Sequence, residues 1–131
     1  MIGAVAMVFW FIMLFFTLLI PAIMLIFGRI FIRSAPKDIN IIYGYRTERS
    51  MKNRDTWIFA HHYCGKLWVS FSLVLFPLSL LTMLLVIGKS TDTVGTVGSV
   101  LALVQLIPLF VSIFFTESAL KKTFDKDGNR L

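Results

Sequence analysis

Charge is scarce in this chain. Asp, Glu, Lys and Arg together make up only 15% of its 131 residues, against roughly 25% in an average soluble domain. A soluble domain of this size has too much surface to cover with so few charges. Cysteine occurs once, as Cys64, which excludes an internal disulfide framework. Histidine occurs twice, as His61 and His62. A tetrahedral zinc site needs three or four ligands, so these three residues predict no metal site and no cofactor. Ser72 and Ser79 have no histidine near them in sequence, which leaves an acyl-transfer site unsupported. No glycine-rich phosphate loop is present, and no basic patch interleaved with aromatics points to nucleic acid.

What the chain has is hydrocarbon. Apolar residues account for 57%, with 13 phenylalanines. They lie in three uncharged blocks, Met1–Gly28, Leu67–Gly88 and Thr93–Thr116, of 28, 22 and 24 residues. About 20 apolar residues suffice for a helix to cross a ~30 Å hydrocarbon core. The chain therefore reads as an all-α integral membrane protein, one domain over 1–131, with spans of about 3–28, 67–88 and 94–116. The first block has no basic flank before it and Arg29 and Arg33 after it, so it reads as a span and not a secretory signal.

The basic residues orient the chain. Eight of the 13 fall in segment 29–66 and four in the tail 117–131, while the loop between the second and third blocks holds only Lys89. The positive-inside rule then places the loop and the tail in the cytoplasm and the N-terminus outside. The net +6 belongs to the inner face, where topology and anionic lipid both account for it.

Each block carries one proline: Pro21, Pro77 and Pro108. Each frees the carbonyl four residues back, on Thr17, Leu73 and Val104. All three fall in one layer of the inner half of the membrane. Either they line a kinked, partly polar cavity, or neighbouring helices re-satisfy the backbone. On the third helix Gly98, Ala102, Gln105, Ser112 and Thr116 share a face, and Ser72 and Ser79 do so on the second. Small and polar faces of this kind pack against each other or against a second copy. No ionisable residue lies inside a block, which argues against a proton relay.

Between Ala35 and Lys66 the pattern changes. Tyr43-Gly44-Tyr45-Arg46-Thr47 reads as a tight turn, with Gly44 available for positive φ. Asn53 is a good N-cap, with Ser50 competing, and Asp55 suits the first turn. Trp57, Ala60 or His61, Cys64, and Leu67 or Trp68 follow at helical spacing. They predict an amphipathic helix lying along the inner interface, hinged at Gly65 into the second span. That topology puts Cys64 on the cytosolic side. Arg46, with Asn40, Thr47, Ser50 and Asn53, either forms a site for a headgroup or other anion, or ties the loop to backbone carbonyls. The tail, with its Asp127-Gly128-Asn129 turn, reads as a frayed end.

In order and spacing, Asn40, Gly44, Arg46, Thr47, Ser50, Asn53, Trp57, Gly65 and Lys66 resemble the signature of the SdpI family of small membrane proteins. At position 61, where many members have Asn, this chain has His61. The resemblance implies a multi-pass protein of the bacterial cytoplasmic membrane. It implies a non-enzymatic role in immunity to, or sensing of, a secreted antimicrobial peptide. Its partners would be the lipid bilayer, a peptide toxin and a cytoplasmic repressor, with a homodimer possible. The competing class is a lipid- or amphiphile-binding transport subunit. An enzyme acting on lipid headgroups is a third reading and has no catalytic constellation behind it.

Overall fold

The computed structural model describes residues 2–131. They form three helices: α1 (Ile2–Ser34), α2 (Arg54–Leu85) and α3 (Thr91–Thr123). All three are long and apolar enough to cross a membrane, and the molecule is a multi-pass membrane protein. Contacts between Trp10 and Met83 at one end, and between Gly28 and Gly65 towards the other, run α2 antiparallel to α1. Those of Gln105 with Thr17 run α3 parallel to α1.

The helix ends follow from local chemistry. Asn53 Oδ1 accepts from Thr56 N at 2.9 Å, and the Thr56 hydroxyl accepts from Asn53 N at 3.1 Å. This is a reciprocal capping box. Ser90 caps α3 by accepting from Thr93 N. Asp55 and Asp92 lie in first turns and Arg33, Lys121 and Lys122 in last turns, where each charge opposes the helix dipole. Between α2 and α3 the chain reverses through Gly88, at φ +78°.

One expectation from the sequence does not hold, and one of two readings of the prolines is the better supported. No separate interfacial helix precedes the second span, because α2 is continuous from Arg54 through Gly65 to Leu85. Gly65 is a close-approach point, not a hinge. A Cβ added to it would lie 2.7 Å from the Gly28 carbonyl oxygen, and one on Gly28 would lie 2.9 Å from that of Gly65. The two glycines let α1 and α2 cross backbone to backbone. Breaking the α2 ladder there would strand polar groups against apolar neighbours. Nor do the prolines line one cavity. Pro21 is buried, whereas Pro77 is exposed. The Thr17 carbonyl that Pro21 frees accepts from Gln105 Nε2 at 2.6 Å, and the same amide donates to Ser79 Oγ at 2.7 Å.

Two small cores hold the bundle. Trp10, Met83, Val86, Val94 and Leu101 pack at the end remote from the long loop, where Trp10 Nε1 donates to Met83 O at 2.8 Å. Tyr45, Ala60, Cys64, Leu120 and Phe124 pack at the loop end. Phe11, Phe15, Phe110, Phe114 and many other large apolar side chains point outward. In lipid such a surface costs nothing, and packing between helices must come from fit and polar contacts.

Candidate functional site

The polar residues of segment 36–53 fold back onto the helix ends and close that end of the bundle. The turn at Gly44 takes φ +111°, a region that disfavours any residue with a Cβ. It places the buried Tyr45 over His61. Tyr45 N donates to His61 Nε2 at 2.9 Å, and His61 Nδ1 lies 2.7 Å from Trp57 O. Since Nε2 accepts, the proton sits on Nδ1 and donates to that carbonyl, which fixes a neutral tautomer. A Cβ on Gly44 would fall 2.5 Å from His61 Nε2, so the His61 ring leaves room only for glycine at this turn.

Tyr45 also reaches α3. Its hydroxyl donates to Glu117 Oε1 at 2.7 Å. Burial, and then this contact with a carboxylate, hold the hydroxyl protonated far above the usual phenol range. Arg49 stands 3.9 Å from the other Glu117 oxygen. Thr47 and Ser50 bond reciprocally: Thr47 N donates to Ser50 Oγ at 2.9 Å and Ser50 N to Thr47 Oγ1 at 3.2 Å. Thr56 Oγ1 lies within donating distance of Ser50 O at 3.0 Å. The loop is thus stitched to the first turn of α2.

Asn53 does two jobs. Besides capping α2, its Nδ2 donates to Gly128 O at 2.7 Å. Beside it Arg130 donates twice to Asp55, each bond 2.8 Å, and its guanidinium lies 5.0 Å from the Phe124 ring centroid. The tail is therefore docked, not frayed, because side chains at the start of α2 hold its backbone. Trp57 is fully buried and donates from Nε1 to Pro36 O at 2.7 Å, tying the exit of α1 to α2.

The remaining residues divide. Asn40 Oδ1 accepts from Ile42 N and Tyr43 N, which makes it a turn former. Arg46 is exposed and donates from Nε to Asn40 O at 3.1 Å, so it does tie the loop to a carbonyl. Gly65 lies at the helix crossing, and Lys66 is exposed on α2. Thr17, Ser79 and Gln105 meet at mid-bundle. Ser112 accepts from Trp68 Nε1 at 2.9 Å, Ser72 donates within its own helix, and Gly98 faces Met13. Cys64 is buried in the bundle, on the side of α2 that packs toward Leu120 of α3.

Several members of this network escape sequence reasoning. Tyr45, His61, Glu117 and Gly128 carry it, yet their partners lie 16 to 75 residues away. Only Thr56 left a local signal, three residues after Asn53. No group of three or more possible metal-binding His, Cys, Asp or Glu occurs among the described residues.

A bundle of three helices long and apolar enough to cross a membrane, closed at one end by a polar cap, defines a small multi-pass membrane protein. The chain belongs to the SdpI/YfhL protein family, whose model matches residues 37–116. It is 33% identical over 113 residues to a Bacillus subtilis (strain 168) protein described as uncharacterized protein YfhL, covering 82% of this chain and 89% of that one. No solved structure matches it.

Proposed function

We propose that the protein guards the bacterial cytoplasmic membrane against a secreted antimicrobial peptide, or senses one, as an SdpI-type immunity protein. The N-terminus then faces outward, and the capping loop and tail face the cytoplasm. The Lys and Arg count on either side supports that orientation.

The observation that carries the reading is the use made of the family motif. Its residues, with the neighbouring Tyr45, join the ends of all three helices: Trp57 to Pro36, Tyr45 to Glu117, and Asn53 to the tail beyond α3. A toxin engaged among the helices would shift those exits against one another, and the cap would register the shift on the cytoplasmic face. A repressor held there would be released or retained by the change. The outward aromatic faces of α1 and α3 offer room for the toxin or for a second copy of the chain.

The test is survival under peptide-toxin challenge. Cells lacking the gene should be sensitised to at least one membrane-active peptide, and the wild-type gene should restore resistance. Gly44→Ala, which breaks the cap, should not restore it even when the protein reaches the membrane. Equal survival with and without the gene across a panel of such peptides would exclude the immunity role.

A further inference from the structure

Beside the cap lies an open pocket of about 210 Å³, lined by Phe31, Tyr45, Arg46, Thr47, Trp68 and Ile113. Each helix supplies one large apolar wall: Phe31 from α1, Trp68 from α2 and Ile113 from α3. The walls are held in place. Trp68 Nε1 is bonded to Ser112, the Phe31 and Trp68 rings pack with centroids 5.7 Å apart, and the Tyr45 hydroxyl is bonded to Glu117. The rim is different in kind. Arg46 is exposed and gives only Nε to the protein, at Asn40 O. Its two terminal nitrogens make no hydrogen bond among the described residues.

We propose that this pocket holds an anionic phospholipid of the surrounding leaflet, its phosphate on the Arg46 guanidinium and one acyl chain between Phe31, Trp68 and Ile113. The terminal nitrogens of an arginine match two phosphate oxygens side by side. A soluble phosphate would use that fork and leave the apolar walls in water. An uncharged lipid would fill the walls and leave the fork unused. The pocket sits where the apolar helices give way to the polar cap, within about a turn of the Gly28–Gly65 crossing. A lipid in the leaflet presents a headgroup and a chain at that level. Twelve of the 13 basic residues lie in segment 29–66 and the tail 117–131, so this surface already draws anionic lipid. The pocket adds a defined seat. The site goes beyond the toxin role and is filled whether or not a toxin is met.

Trp68 is the reporter, because it lines the pocket while Trp10 and Trp57 are buried. The full chain is reconstituted in phosphatidylcholine vesicles containing a minor fraction of lipid brominated on one acyl chain. Brominated phosphatidylglycerol should quench tryptophan fluorescence more than brominated phosphatidylcholine at the same fraction. Arg46→Gln should abolish the excess and Arg46→Lys should reduce it, since lysine keeps the charge and loses the fork. Lys121→Gln removes an exposed charge outside the pocket and should leave the excess intact. Equal quenching by the two lipids in the wild type would mean an unselective hydrocarbon slot and would overturn the assignment. So would an excess that survives Arg46→Gln, or one that Lys121→Gln removes as fully, which would mark diffuse surface attraction. The measurement uses no toxin, so its failure and that of the immunity reading are separable.

Discussion

At the scale of single residues, His61 decides how the loop sits. The Tyr45 amide is buried and belongs to no helix, so it needs an acceptor. His61 Nε2 supplies one. Replacing His61 by Phe keeps the bulk and removes the acceptor, leaving a buried N–H unpaired. The expected cost is about 1–3 kcal/mol, read as a lowered unfolding midpoint in detergent. Gly44→Ala should cost more, since it meets both an unfavourable φ and the His61 ring. Cys64 gives a second check. It is fully buried, so a bulky maleimide should label it only after denaturation, and rapid labelling of the folded protein would contradict the packing. Asn53 could be read as a cap from sequence because its partner Thr56 is three residues on. Its second bond, to Gly128, lies 75 residues away, and no local pattern encodes a partner at that distance.

At the scale of elements, the helices meet through small residues and one amide. Gly65→Ala forces its new methyl against the Gly28 carbonyl, so α1 and α2 must separate. Overpacking of this kind costs typically about 1–3 kcal/mol. Gly95 is the contrasting case. A Cβ there meets Phe9 at 3.5 Å, an ordinary contact. Gly95→Ala should therefore stabilise α3 by about 0.5–1 kcal/mol through helix propensity. Paired thermal melts of the two variants separate crossing from propensity. Gln105→Leu should have a small effect. It strands the Thr17 carbonyl, but it also removes Gln105 Oε1, a buried acceptor without a partner. Hydrogen bonds between membrane helices average about 0.6 kcal/mol, so a destabilisation of several kcal/mol would mean that the amide does more than bridge. That the helices exist was legible in three uncharged runs. That Gly65 is a crossing was not, because glycine reads equally as hinge and as contact until its neighbour is known.

At the scale of the molecule, the apolar bulk and the capping loop have separate jobs. The bulk crosses the membrane, and its outward faces are generic. The loop makes three helices into one body, since its bonds reach the ends of α1, α2 and α3 and the tail. Composition revealed the first job at once and located the second in the charged segment. It did not reveal how many of the motif residues are engaged in internal bonds, because several of those bonds join segments far apart in the chain. The direct test is residue-resolved amide hydrogen exchange of the protein in lipid nanodiscs. The account predicts slow exchange at Tyr45 and Thr47, outside any helix, with Tyr45 protection lost in His61→Phe while the middle of α2 stays protected. Exchange at Tyr45 and Thr47 as fast as in an unstructured peptide, in the wild type, would contradict the cap.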